Sequence, residues 1–415
     1  MDTPVSGTPG GVTSIDLSAF GEGEAAKQRR GLQNLPIVLA GVVIVVAGFA
    51  ALIFIWYLVD TNVPGAERSG LSAAAFFLIV LGLCIWAIYV VIRRRSRWDS
   101  GTGELISERD FSRAQLKRPV PHAGLTLSDL LARLRGIAAG FGSEVTVQQT
   151  DPKKLASARN WRIVAWALIG AGLLIFFFAS VVLGVVVAFS SILAFVRSAR
   201  VGQPSLNTVR AQDKRLPILL LRSFRDDGLT APARFRYGPF LYTSNRRFEQ
   251  AIAGSFQSFG PLIAIGEPNE KLPQFGAART YLAGDEWQKA VLGWIDEARL
   301  IVMIAGTTQW IVWELQRILE QDQYRRLLIL MPPDPARAGS KTPARAERWR
   351  NVCAAFEGTA WAPALQGVDT AGLLLVQLEA SGGILAIRSS AGHVQDYLLA
   401  IGIAINQRLG SGSAG

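Results

Sequence analysis

Two stretches of the 415-residue sequence gather side chains able to hold or transform a small polar ligand. The first is Arg222-Ser223-Phe224-Arg225-Asp226-Asp227. Its guanidinium groups can meet phosphate oxygens through paired hydrogen bonds, and its carboxylates can accept from ribose hydroxyls. Asp226 and Asp227 are equally at home as turn or helix-cap residues, and Ser223 suits any turn. The second stretch runs from Trp310 to Arg317. On a helix Trp310 and Glu314 share a face, four residues apart, while Glu314 can also pair with Arg317 at i+3. An indole at Trp310 could stack on a flat ring, and Trp313 reads as core. His122 and His393, with Cys84 and Cys353, are too few and too scattered for a metal-ligand set or a disulfide framework. No GxGxxG and no GxxxxGK[ST] occurs at any strand-to-helix turn, which argues against a Rossmann fingerprint or a P-loop.

The elements that must position these residues follow from the apolar pattern after Lys214. Short runs that are apolar throughout read as buried strands at Pro217–Leu221, Pro261–Ile265, Leu300–Ile304, Leu327–Met331 and Ile384–Ile387. Helical spacing appears over Phe248–Phe259, after Asp285, around Trp310–Ile318, over Ala344–Phe356 and over Val394–Ile405. Apolar strands alternating with helices predict a five-stranded parallel sheet covered on both faces. Ligands of such sheets bind beyond the carboxyl ends of the strands. That rule selects Arg222–Asp227, Gly266–Pro268 and Gly306–Glu314.

At these residues the sequence resembles a family. Leu219-Leu-Leu-Arg-Ser-Phe-Arg-Asp-Asp227 is similar to the first strand and turn of Toll/interleukin-1 receptor (TIR) domains, and Thr308-Gln-Trp-Ile-Val-Trp-Glu-Leu315 is similar to their third-helix motif. The resemblance covers about Leu216 to Ile405. It implies a flavodoxin-like fold, self-association through the domain, and NAD as substrate rather than as resident cofactor. Glu314 would be the catalytic carboxylate, with Ser223, Phe224, Arg225, Asp226, Asp227, Gly266 and Trp310 around the nucleotide. Hydrolysis of the nicotinamide–ribose bond in a defence or stress effector of bacterial type is one implied role. A non-catalytic adaptor or sensor that binds a partner or nucleotide is the other. The sequence departs from the family pattern at Trp313, across Gly266–Tyr281, where the BB loop would lie, and at Leu229–Tyr242, which resembles an insertion.

The remainder of the chain is read from hydropathy and charge. Half of the residues are hydrophobic, 18% are charged and the net charge is +11; soluble domains carry about 25% charged residues. Residues 36–59, 70–92 and 163–196 hold no charge. About 20 apolar residues span a bilayer's hydrocarbon core, so 36–92 predicts a transmembrane hairpin. The 34 residues of 163–196 would form a helix of about 51 Å, which predicts a second hairpin or one long span. Basic residues at both ends of that run favour cytoplasmic flanks. The expected layout is a disordered N-terminus (1–35), the first hairpin, and a basic linker (93–162) with an amphipathic helix from Thr126 to Ala139. The second hairpin, a basic segment (197–215) and the α/β domain (216–408) follow. An integral membrane protein with a cytoplasmic C-terminal domain is thus expected, with lipid as a partner. Nine of the eleven net positive charges lie outside 217–415, so the basic balance reads as a topology signal and not as a nucleic-acid patch.

Overall fold

The computed structural model describes residues 11–18, 20, 111, 113–121, 124–143, 145, 147–178, 181–223, 229–237, 240–266, 277–280, 286–333, 345–390 and 392–410. The chain divides into two compact units. The larger comprises Met1–Glu22, Asp99–Arg236 and Thr243–Gly415, and the smaller Gly23–Trp98 and Tyr237–Tyr242. The hairpin expected over 36–92 lies outside the described residues.

In the larger unit the first elements are strand β1 (Val12–Asp16), helix α1 (Arg113–Leu116), a two-stranded ribbon of β2 (Pro119–Val120) and β3 (Leu125–Thr126), and helix α2 (Leu127–Gly140). Helices α3 (Pro152–Phe178), α4 (Val181–Val201) and α5 (Leu206–Gln212) follow. Strand β4 (Ile218–Leu221) precedes the paired strands β5 (Thr230–Tyr237) and β6 (Phe240–Arg247), then α6 (Phe248–Gln257), β7 (Leu262–Ile265) and β8 (Ala278–Thr280). Next come α7 (Glu286–Glu297), β9 (Leu300–Ile304), α8 (Gln309–Glu320), a 3-10 turn (Gln323–Arg326) and β10 (Leu327–Leu330). Helices α9 (Arg345–Ala355) and α10 (Ala362–Gln366), strands β11 (Leu373–Leu378) and β12 (Ile384–Arg388), and helix α11 (Val394–Leu409) complete the order.

The sheet has eight strands, in the order β1-β12-β11-β10-β9-β4-β7-β8. This corrects the expectation of a five-stranded parallel sheet. Five consecutive strands, β10 to β8, are indeed parallel. Beyond them β11 runs antiparallel to both of its neighbours, and β12 and β1 pair in parallel. The six residues of β11 are all buried, so their apolar run lacks the alternation that usually marks an antiparallel strand. Residues 12–16, inside the stretch expected to be disordered, form the edge strand β1.

Alternate residues of the central strands feed two cores. Leu220, Val302, Leu328 and Ile387 pack with Leu130 and Leu134 of α2, Ile252 and Phe256 of α6, and Ile401 of α11. Leu219, Ile301, Met303 and Ile329 pack with Val291 and Ile295 of α7, Ile311 and Leu315 of α8, and Val352 of α9. Helix α2 is the amphipathic helix expected from the leucine spacing. Thr126 caps it in a reciprocal box with Asp129, satisfying amides of the first turn. Its leucine face is buried in the core beside α11, so the segment expected to be a linker supplies part of the domain's packing.

The membrane reading is corrected by the helices themselves. Among the described residues no helix is long and apolar enough to cross a membrane. The uncharged run 163–196 is broken after Phe178. Helix α3 begins at Pro152 and carries Lys153, Lys154, Arg159 and Arg162 in its first half. That leaves 16 uncharged residues before its end, and α4 has 16 before Arg197. Sixteen residues rise about 24 Å, short of a hydrocarbon core of about 30 Å. The expected transmembrane region and integral membrane localisation are therefore not supported. The two helices pack on each other through small residues: a Cβ at Gly172 would lie 2.7 Å from the Ala188 amide nitrogen. Near the other end of the pair, the Ser198 hydroxyl donates to the Ala158 carbonyl at 2.7 Å.

Candidate functional site

Taken in chain order, β4, β7, β9 and β10 stand in the sheet as β7-β4-β9-β10, all parallel. From β4 the chain passes over one face through α6 to β7, and from β9 it passes over the other face through α8 to β10. The connections therefore diverge between β4 and β9. In open α/β sheets the crevice at the carboxyl ends of two such strands is where ligands sit. The residues there are Arg222 and Ser223 after β4, and Ala305 to Thr308 leading into α8 after β9.

Helix α8 sets its side chains by period. Ile311, Leu315 and Ile318 form the buried stripe, and Glu314 stands at its margin. Glu314 is only 6% exposed, and its Oε2 has no hydrogen-bond partner. Arg317 is not that partner; it pairs with Glu320 instead. Burial alone pushes the Glu314 carboxyl up to about 8, because no fixed charge compensates its loss of water. At neutral pH the group is thus mostly a neutral acid. The i+3 ion pair open to Glu314 in the sequence does not form.

Trp310, one turn before Glu314, is 53% exposed. Its ring meets Trp287 of α7 edge-on, with centroids 4.9 Å apart and planes at 86°. Trp287 also contacts Trp313 at 5.4 Å, which half-buries Trp313 between the helices. Trp287 thus steadies both indoles, and Trp310 stays more than half exposed. Thr308 caps α8 without a side-chain hydrogen bond, so its hydroxyl satisfies none of the free amides of the first turn.

The end of β4 is organised by charge. Arg222 Nε lies 2.8 Å from Glu249 Oε2, and Arg279 Nη2 lies 2.7 Å from the same oxygen. All three side chains are at least nine-tenths buried. Glu249, in the first turn of α6, thereby joins the end of β4 to β8, and its Oε1 accepts from the Ala277 amide at 3.4 Å. Ser223 is buried beside Arg222. Below the β9–α8 turn, Arg348 of α9 donates from Nη1 to the Ala305 carbonyl at 2.8 Å, and Asn351 Nδ2 donates to the Gly306 carbonyl at 3.4 Å.

Of the residues singled out in the sequence, Ser223 follows β4 at the carboxyl edge of the sheet, and Trp310 and Glu314 lie in the first two turns of α8, which leads away from the carboxyl end of β9. Phe224, Arg225, Asp226 and Asp227 lie outside the described residues. Gly266 follows β7, and its amide donates to the Thr280 carbonyl at 2.9 Å, continuing the β7–β8 ladder. It acts there as sheet. Glu249, Arg279 and Arg348 carry no local motif. Their partners lie 27, 30 and 43 residues away respectively, so only the folded chain reveals them.

No protein-family model, no curated protein and no solved structure matches this chain.

Proposed function

We propose that the larger unit binds a nicotinamide dinucleotide at the carboxyl edge between β4 and β9 and hydrolyses its nicotinamide–ribose bond, with Glu314 as the carboxylate beside the ribose. The observation that carries this reading is a buried carboxyl whose Oε2 lacks a partner, built into the ligand-binding edge of a doubly wound sheet. Buried polar atoms are almost always hydrogen-bonded, and a ligand hydroxyl or cation is the group that would complete this one. The resemblance of 219–227 and 308–315 to TIR motifs points to the same residues.

The chemistry asks little of the protein. The ring nitrogen of NAD is already cationic, so the bond to ribose breaks with its electron pair moving onto the ring, which leaves neutral without a general acid. Water then adds to the anomeric carbon and gives its proton to solvent. The demand is stabilisation of an oxocarbenium-like ribose, which a nearby carboxylate supplies electrostatically. The exposed Trp310 offers a stacking surface for the ring, and the first-turn amides of α8 are donors of the kind that bind a phosphate.

The test uses the full chain at concentrations that permit self-association, with released nicotinamide measured by chromatography. Turnover that falls at least a hundredfold in Glu314→Gln is expected. Equal turnover in wild type and Glu314→Gln would remove Glu314 from the chemistry. The deep burial of Glu314 favours one other reading, a domain that binds nucleotide without cleaving it. Saturable binding with no nicotinamide release in any assembled state would establish that alternative.

A further inference from the structure

We infer that Glu314 reads the charge of the nicotinamide ring: the site takes the oxidised, cationic ring in exchange for the carboxyl proton and gives no such preference to the neutral, reduced ring. This rests on the nucleotide reading above and goes beyond it by naming what the acid recognises.

The argument begins with what surrounds the carboxyl. Helix α8 packs against α7, α9 and the 3-10 turn. The charged and titratable groups on these elements are Glu286, Lys289, Asp296 and Glu297 on α7, with Arg345, Glu347, Arg348, Arg350 and Cys353 on α9. Asp322, Tyr324, Arg325 and Arg326 belong to the turn, and Arg317 and Glu320 to α8 itself. The cations among them that could reach inward have other acceptors. Arg317 pairs with Glu320, Arg326 donates to the Asp296 and Ala298 carbonyls, Arg345 to Pro332, Thr370 and Leu373, and Arg348 to Ala305. Across the crest, Arg222 pairs with Glu249. Glu314 forms no ion pair with any of them, and burial is what holds it neutral.

A buried carboxyl without a cation keeps its proton until a cation arrives. The aromatic neighbours point to the kind of cation. An exposed indole one helical turn from the acid suits a flat delocalised ring, whose charge gains from the π face as well as from the carboxylate. On binding, the Glu314 O–H bond breaks, the proton passes to solvent, and the ring's positive charge replaces it. The net charge of the site is unchanged, so the step balances. The reduced ring carries no charge and provides nothing to drive the ionisation.

The experiment compares carba-NAD with NADH on the full chain by titration calorimetry between pH 6 and pH 8. Carba-NAD keeps the cationic ring, but a methylene replaces the ribose ring oxygen, so it cannot be cleaved through an oxocarbenium. Its affinity should rise about tenfold per pH unit below pH 8, with release of close to one proton as read from buffers of different ionisation enthalpy. NADH affinity should stay flat over the same range, and Glu314→Gln should flatten the carba-NAD profile. Flat carba-NAD binding without proton release overturns the inference while leaving the nucleotide site standing. Absence of binding by either nucleotide overturns both readings. Proton release that survives in Glu314→Gln assigns the titration to another group and also refutes the inference.

Discussion

The buried acid makes a quantitative demand on the pH dependence of stability. In the unfolded chain Glu314 titrates near 4.5, and in the folded chain burial raises it to about 8. Below pH 4.5 the group is protonated in both states and contributes no slope. Between those values, unfolding frees a carboxyl that ionises and releases its proton, so stability falls as pH rises. The slope is about 1.4 kcal/mol per pH unit. Above pH 8 both states are ionised, and the loss is complete at about 5 kcal/mol. Glu314→Gln keeps the size and hydrogen-bonding capacity of the side chain and removes the titration. Urea unfolding of both chains, followed from pH 5.5 to 7.5, isolates the term because every other group cancels in the difference. The difference should grow by about 3 kcal/mol in favour of the variant across that window. A difference that stays constant within about 0.5 kcal/mol would mean that Glu314 titrates in contact with water, and the reasoning from burial would fail.

Two further outcomes follow from the packing. Glu249→Ala removes a carboxylate shared by two buried guanidinium groups and should cost about 3 to 5 kcal/mol, seen as a lower urea midpoint with an unchanged slope. Gly172→Leu would drive a side chain into the α4 backbone, where even a Cβ comes within 2.8 Å of the Gly184 carbonyl oxygen. A loss of about 1 to 3 kcal/mol is expected, measured as a lower thermal midpoint, whereas Gly170→Ala, which meets nothing within 4 Å, should leave it unchanged or slightly raised.

Local pattern carried far in this sequence wherever one residue type answered to one environment. Ile218–Leu221, Leu262–Ile265, Leu300–Ile304 and Leu327–Leu330 are buried on both faces, and continuous apolar runs are what such strands require. The leucines from 127 to 134 announced a helix by spacing, and their burial against α11 decided its role. The strand over Leu373–Leu378 escaped notice because all six residues are buried and lack the alternation of an antiparallel strand, although its partner β12 follows directly in the chain. At Val12–Asp16, a Gly- and Ser-rich context hid a strand of which only Ile15 is fully buried. At 163–196 the length of the uncharged run placed the division into two helices near residues 179–180, but hydropathy misled on spanning, because it does not show how far the basic first turns of α3 extend. At the site, Glu314 and Trp310 were legible from their spacing, but the sequence could not tell a surface ion pair from a buried neutral acid. That distinction depends on burial, which only the packing of α8 in the folded chain decides.

The placement of β1 beside β12 has a consequence for synthesis. Val12 pairs with Ile384, so the strand waits for a partner that is made much later in the chain. At translation rates of about 5 to 20 residues per second, the interval is about 20 to 75 seconds. During that time β1 has no neighbour, and its composition suits the delay: Thr13, Ser14 and Asp16 keep it soluble, and Ile15 is the one side chain that must later be covered. The parallel pair of β1 and β12 therefore closes only after the ribosome has passed β12.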